Sequence, residues 1–187
     1  MAGKKEVEIK VSLSKDDVEK VEKQVFREDF SSFTETDTYF TSPVRDFMET
    51  KECLRIRQRN GNPVEMTYKG KTTDEMREKN QFWKEEIDLP VSSLEDSEQL
   101  LLAIGCEKLV KVEKERKKAM VDGKTITLDR VKDTGYFLEV ESEAVEKDVE
   151  EALEDNKAFL KELGLDGVEV VRKPYRDLVM DARGMEY

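Results

Sequence analysis

Glu6-Val7-Glu8-Ile9-Lys10 is the stretch from which the rest of this chain can be read. In a strand, successive side chains point to opposite faces. Val7, Ile9 and Val11 then share one face, and Glu6, Glu8 and Lys10 share the other. Two carboxylates two residues apart offer hard oxygen ligands to a divalent metal. An ammonium one step further suits a phosphate that such a metal would bridge. Alternating charge is common on solvated strands, so the pattern gains weight only by recurring. Leu54 and Ile56 leave Arg55, Arg57 and Arg59 opposite them. Met66 and Tyr68 leave Glu65, Thr67 and Lys69, and Trp83, Ile87 and Leu89 leave Lys84, Glu86 and Asp88. Further on come Lys114 and Arg116, then Thr125, Thr127 and Asp129 opposite Ile126 and Leu128, then Glu139 and Glu141 opposite Leu138 and Val140.

The elements between these strands follow from caps and turns. Ser14, with Asp17 three residues on, opens a helix striped by Val18, Val21 and Val25. A strand near Thr36–Thr41 is ended by Pro43. Cys53–Arg59 and Val64–Lys69 form a hairpin about Asn60-Gly61-Asn62. Lys71–Asn80 reads as a polar loop, and Gln81–Leu89 as a strand stopped by Pro90. Ser92 with Glu95 predicts the cap of a helix over Leu94–Ile104, closed by Gly105. Val110–Lys118, Thr125–Val131 and Tyr136–Glu141 read as strands, with Asp122-Gly123 as the first turn. Val145, Val149, Leu153, Leu160 and Leu163 stripe a long helix that ends at Gly164, and Pro174 starts a short one over Tyr175–Met180. No linker is evident, so residues 1–187 read as one domain. The expected class is α+β, an eight-stranded antiparallel β-barrel, closed or nearly closed, with flanking helices. Each half of the chain carries a helix among antiparallel strands, as an internal duplication would.

Composition narrows the function. Of 187 residues, 41% are charged and 37% apolar, with a net charge of −11. Such a balance can mean disorder, but the periodic apolar residues exclude that. The acidic balance argues against a nucleic-acid partner. No apolar run approaches membrane length, and Cys53 and Cys106 give no disulfide framework. A soluble, cytoplasmic protein is expected. With no histidine in the chain, chemistry falls to carboxylates, Lys, Arg, Tyr and a bound metal. If the sheet rolls up and its apolar face takes the helices, the charged face lines the lumen. Charges there must pair or bind ions. Arg and Lys would grip phosphate oxygens while carboxylates hold Mg²⁺ or Mn²⁺. That combination suits a triphosphate.

These residues resemble the CYTH, or triphosphate tunnel metalloenzyme, superfamily. Glu6-Val7-Glu8-Ile9-Lys10 matches its ExExK signature, and likeness extends through Asp37-Thr38-Tyr39-Phe40, Leu54-Arg55-Ile56-Arg57, Thr67-Tyr68-Lys69-Gly70, Lys84-Glu85-Glu86-Ile87, Lys114-Glu115-Arg116, Leu128-Asp129-Arg130-Val131, Phe137-Leu138-Glu139-Val140-Glu141 and Pro174-Tyr175-Arg176-Asp177-Leu178. The likeness is greatest to the CyaB branch, the class IV adenylyl cyclase-like proteins. The resemblance implies a charged tunnel in which Glu6, Glu8, Asp129, Glu139 and Glu141 hold Mg²⁺ or Mn²⁺. It implies that Lys10, Arg55, Arg57, Lys69, Lys114 and Arg116 bind the triphosphate, with Lys10 and Asp129 in the catalytic part. Arg59 extends the basic row, and Glu86 occupies a tunnel acid position without an assigned role. The implied activity is conversion of ATP to cyclic AMP and pyrophosphate. Hydrolysis of tripolyphosphate or thiamine triphosphate, and non-catalytic capture of polyphosphate or nucleotides, are the alternatives. The expected partners are small triphosphates and, in solution, a homodimer. Arg57 is expected to bind phosphate rather than brace the fold.

Overall fold

The structure, a computed structural model, describes residues 5–60, 63–71, 86–144 and 148–185, with only the backbone of residues 5 and 6. The Gly61-Asn62 turn, residues 72–80 of the polar loop, residues 81–85 of the following strand with Trp83 and Lys84, Val145 and the side chain of Glu6 lie outside the described residues.

The strands are β1 (Lys5–Leu13), β2 (Phe30–Thr41), β3 (Cys53–Arg59), β4 (Val64–Lys69), β5 (Glu86–Val91), β6 (Glu107–Val121), β7 (Lys124–Val131) and β8 (Gly135–Ala144). The helices are α1 (Lys15–Gln24), α2 (Leu94–Ala103), α3 (Val149–Glu162) and α4 (Tyr175–Ala182). They make an α+β fold on one eight-stranded antiparallel sheet, hydrogen-bonded in the order β1-β8-β7-β6-β2-β3-β4-β5. The expected strand number, direction and flanking helices are those found, and the order places β1 and β5 at its two ends. Among the described residues no helix is long and apolar enough to cross a membrane.

The chain divides into two compact units, Met1–Phe33 with Lys114–Pro174, and Thr34–Glu113 with Tyr175–Tyr187. In the first unit the period-two pattern sorts the sheet. Ile9, Val11, Leu13, Ala119, Ile126, Leu128, Leu138 and Val140 share one buried face and pack on Val21, Val25 and Phe26, on Phe159 and Leu160 of α3, and on Leu163 at its C-cap. Each fully buried side chain of this kind contributes about 1.5–3 kcal/mol of transfer free energy. α1 starts in a capping box: Asp17 N–H donates to Ser14 Oγ at 3.2 Å, and Ser14 N–H donates back to Asp17 Oδ2 at 3.3 Å. α3 stops at Gly164, whose φ of 72° suits a residue without Cβ. There Gly164 N–H reaches Lys161 O and Leu165 N–H reaches Leu160 O, a Schellman ending.

In the second unit Phe40, Ile56, Val64 and Leu101 form the core, joined by Leu54, Met66, Val91 and Leu94. α2 is capped by Ser93, which accepts from Asp96 N–H at 3.2 Å, and not by Ser92. β5 still pairs Val91 with Val64, so Ser92 is only leaving the strand. β5 also runs through Pro90, which an end strand tolerates because one of its edges needs no donors. α4 and the loop before β3 meet in a polar knot. Buried Glu52 accepts from Arg45 at 2.9 Å, from Thr50 at 2.6 Å and from the Tyr68 hydroxyl. Arg176 donates to the Glu52 carbonyl at 3.2 Å. Burial would raise the Glu52 carboxyl, but the Thr50 and Tyr68 hydroxyls and Arg45 hold it below its ordinary value.

Candidate functional site

Opposite each apolar face lies a polar one. In the first unit, register across β1, β8, β7 and β6 sets its rows. Ser12, Phe137, Asp129 and Arg116 form one row, and Lys10, Glu139, Thr127 and Lys118 the next. Glu8, Glu141, Thr125 and Met120 form the third. Lys114 shares this face one step beyond Arg116 and is 5% exposed. Lys10, Lys114, Arg116, Glu8, Asp129, Glu139 and Glu141 are therefore brought together as the strand period demands.

Their contacts are specific. Arg116 grips fully buried Asp129 with Nε at 2.7 Å and Nη2 at 2.5 Å, and Nη2 also reaches Glu139 at 2.8 Å. Glu139 accepts from Thr127 at 3.1 Å and faces Lys10 Nζ at 3.3 Å, while Lys10 stands 3.7 Å from Glu8. Burial alone would raise the Glu139 carboxyl, but Arg116, Lys10 and Lys114 keep it below the usual range. Glu8 goes the other way, pushed up to about 7. Desolvation contributes most, the charge of Glu139 next and Glu141 after it, against Lys10 and Arg116. Of the Glu8 side chain 45% is open to water, which screens these charges in part. Among the described residues Glu8 thus meets two like charges, Glu139 and Glu141, against Lys10 and Arg116.

That donor set fits a hard divalent cation. Glu8 and Glu141 are register partners, Glu139 is two residues along β8, and carboxylate oxygens are what Mg²⁺ or Mn²⁺ takes. Among the described residues no three acids already stand close enough to form a cluster of ligands. Beside Glu141, a cavity of about 550 Å³ is lined by Met120, Thr125, Glu143 and the Asp122-Gly123 turn.

In the second unit the polar rows are Glu35 with Arg59; Asp37 with Arg57 and Glu65; Tyr39 with Arg55, Thr67 and Asp88; and Cys53 with Lys69 and Glu86. Arg57 is held bidentately by Asp37 at 2.6 and 2.8 Å and also faces Glu35 at 3.1 Å. Glu35 accepts from Arg59 at 2.5 Å as well. Both acids are 1% exposed. Burial would lower the Arg57 guanidinium, but its bonds to Asp37 and the charges of Asp37 and Glu35 raise it above its ordinary value. Arg57 thus braces this unit, contrary to the expectation from sequence, because two buried carboxylates need it. Sequence reasoning passed over Glu35 and Asp37. The available signal was the alternation Glu35, Asp37, Tyr39 against Thr36, Thr38, Phe40. Glu86 gains a role as the counter-ion of Lys69 at 2.8 Å, with Arg55 at 4.0 Å.

Comparison with known proteins places this arrangement. The model of the CYTH domain matches residues 4–175. A protein of Methanocaldococcus jannaschii named "Putative adenylate cyclase MJ0240" is 34% identical over 179 residues, covering 92% of this chain and 97% of its own. The solved PH1819 protein of Pyrococcus horikoshii OT3 is also 34% identical, with a TM-score of 0.77 over 95% of this chain and 99% of that one. A Hippeastrum protein, "putative adenylyl cyclase HpAC1", said to reveal a dominant triphosphatase activity, shares the fold at 15% identity, with a TM-score of 0.67 over 97% of this chain and 96% of its own. The chain belongs to the CYTH domain family.

Proposed function

We propose that this protein is a divalent-metal-dependent enzyme acting on a small triphosphate, and that its reaction is the cyclase one, ATP to cyclic AMP and pyrophosphate. What supports the metal-dependent part is the polar face of β1, β6, β7 and β8, where Lys10 and Arg116 adjoin Glu139 and where Glu8 and Glu141 are register partners. Simple capture of a polyanion needs the bases alone, so the acids favour catalysis over a binding module. The cyclase reading rests on the name of the Methanocaldococcus relative.

Lys10, Lys114 and Arg116 are the phosphate-binding candidates of the first unit, and Arg55 and Lys69 those of the second. Glu8, Glu139 and Glu141, with Glu6 and Asp129, are the residues that would hold Mg²⁺ or Mn²⁺. When bound, such an ion supplies neutralisation of charge developing on phosphate oxygens. Lys10 and Arg116 would trade carboxylate partners for phosphate oxygens and so orient the chain. In the cyclase reaction the ribose 3′-hydroxyl attacks the α-phosphorus, and the bond to the departing pyrophosphate breaks. In a triphosphatase water attacks the terminal phosphorus instead. One observation favours this second reading: the cavity beside Glu141 offers a single large apolar side chain, Met120, for a base to pack on.

The test is product analysis. ATP and tripolyphosphate are incubated with the protein and Mg²⁺ or Mn²⁺, with a chelator as control. Cyclic AMP and pyrophosphate from ATP support the cyclase, and orthophosphate from either substrate supports the hydrolase. Tight binding of tripolyphosphate without turnover in any metal would overturn the enzyme reading.

A further inference from the structure

The first unit contains a polar side chain that no part of the proposed reaction uses. Asn156, on the apolar side of α3, is fully buried. Its neighbours along that helix face, Phe159, Leu160 and Leu163, are core residues. A buried amide amid such packing is costly unless its polar atoms are matched. Its Nδ2 donates to the Val7 carbonyl at 2.9 Å and to the Val140 carbonyl at 3.4 Å. Its Oδ1 accepts no hydrogen bond from the described residues. Leucine at this position would avoid that penalty, so local stability does not explain an amide here.

The two carbonyls it reaches explain it better. Val7 immediately precedes Glu8, and Val140 immediately precedes Glu141. Glu8 and Glu141 are register partners on β1 and β8. One amide group therefore ties, from the apolar side of the sheet, the two peptide units that carry the facing carboxylates on its polar side. β1 lies at one end of the strand order, and its outer edge is held near Lys10–Ser12 by residues 169–171, a few residues beyond the level of Glu8. α3 supplies an attachment at the level of the acids.

We infer that Asn156 is a positioning residue for the Glu8–Glu141 carboxylate pair, setting the spacing that a divalent cation would meet. It acts through the backbone and touches no ligand itself. Outer residues of this kind commonly alter metal affinity by about 10–100-fold. The inference rests on the reading of these acids as metal ligands, and its test separates the two.

Mn²⁺ binding is measured by electron paramagnetic resonance on the full chain, with no substrate present, for the parent, Asn156→Leu, Asn156→Ser and Leu160→Ala. Leu160→Ala serves as the control, because it loosens the same helix one turn on without touching either carbonyl. Asn156→Leu should bind Mn²⁺ about tenfold more weakly than the parent, while Leu160→Ala, although it melts lower, stays within about twofold. Asn156→Ser keeps a donor on a shorter arm and should fall between them. Parent-like affinity in both Asn156 variants overturns the positioning role and leaves the metal reading intact. So does equal weakening in Leu160→Ala, or failure of both Asn156 variants to fold. A parent that binds no Mn²⁺ overturns both.

Discussion

The two units solve the same electrostatic problem differently. Each carries acids and bases on the sheet face opposite its core. In the second, Glu35 and Asp37 are almost fully buried and locked onto Arg57 and Arg59. In the first, Arg116 holds Asp129 and Glu139, Lys10 faces Glu139 and Glu8, and Glu8 stays half-exposed beside the like charges of Glu139 and Glu141. A locked cluster braces a fold, whereas an unbalanced one is ready for a cation. The same two-residue alternation thus yields a brace in one unit and a candidate site in the other: Asp129 is as buried as Asp37, but the first unit also sets half-exposed Glu8 beside Glu139 and Glu141.

The largest effect should come from breaking the brace. Arg57→Ala removes the cation that holds Asp37 bidentately and faces Glu35, so it should cost about 3–5 kcal/mol in denaturant unfolding. A variant as stable as the parent would show that the buried acids are neutral or otherwise satisfied, and the contrast would fail. Arg116→Ala removes the corresponding cation from the first unit. Glu139 there keeps Lys10 and Thr127 as partners, but buried Asp129 loses the cation that holds it bidentately, so a loss of about 3 kcal/mol is expected, the low end of the same range. A loss under about 1 kcal/mol would show that Asp129 is satisfied without Arg116.

The smallest effect concerns pH. A carboxyl whose folded pKa lies above its unfolded value of 4.5 binds its proton more tightly when folded. Its contribution to stability is present below about pH 4.5 and is lost as pH rises toward about 7. Glu8→Gln removes that dependence. The melting temperature of the variant minus that of the parent should grow across this window, to about 2 °C, since water screens a half-exposed group. A difference that stays flat, or shrinks, would mean that Glu8 is not crowded by acids.

Much of this was readable from residue order. Cys53–Arg59 and Val64–Lys69 have the bounds expected of them, because apolar and charged residues alternate cleanly there. The same contrast put Lys10, Arg116 and Glu139 on one face. It failed in β2, where Thr36 and Thr38 stand in place of strong hydrophobes and hide the acids between them. The cap of α2 was degenerate, since Ser92 and Ser93 each have an acid three residues on. Only the pairing of Val91 with Val64 resolves it. Asn156 was invisible in the stripe of α3, because its role depends on two carbonyls brought near it by folding. Pairing strength is equally a tertiary property: nothing in the order of residues distinguishes Arg57, which is locked, from Arg55, which is not bonded to the buried pair.

The central claim is that the acids of the first unit hold a metal required for turnover of a triphosphate. The most direct measurement is turnover of tripolyphosphate and ATP at limiting Mg²⁺ or Mn²⁺ by the parent, Glu8→Gln and Glu139→Gln, with circular dichroism and melting to confirm the fold. Each change removes one anionic ligand from a cation that takes several oxygens. The account predicts that both folded variants lose about 100-fold or more of metal-dependent turnover. A correctly folded Glu8→Gln or Glu139→Gln that turns over either substrate at the parent rate under limiting metal would contradict it.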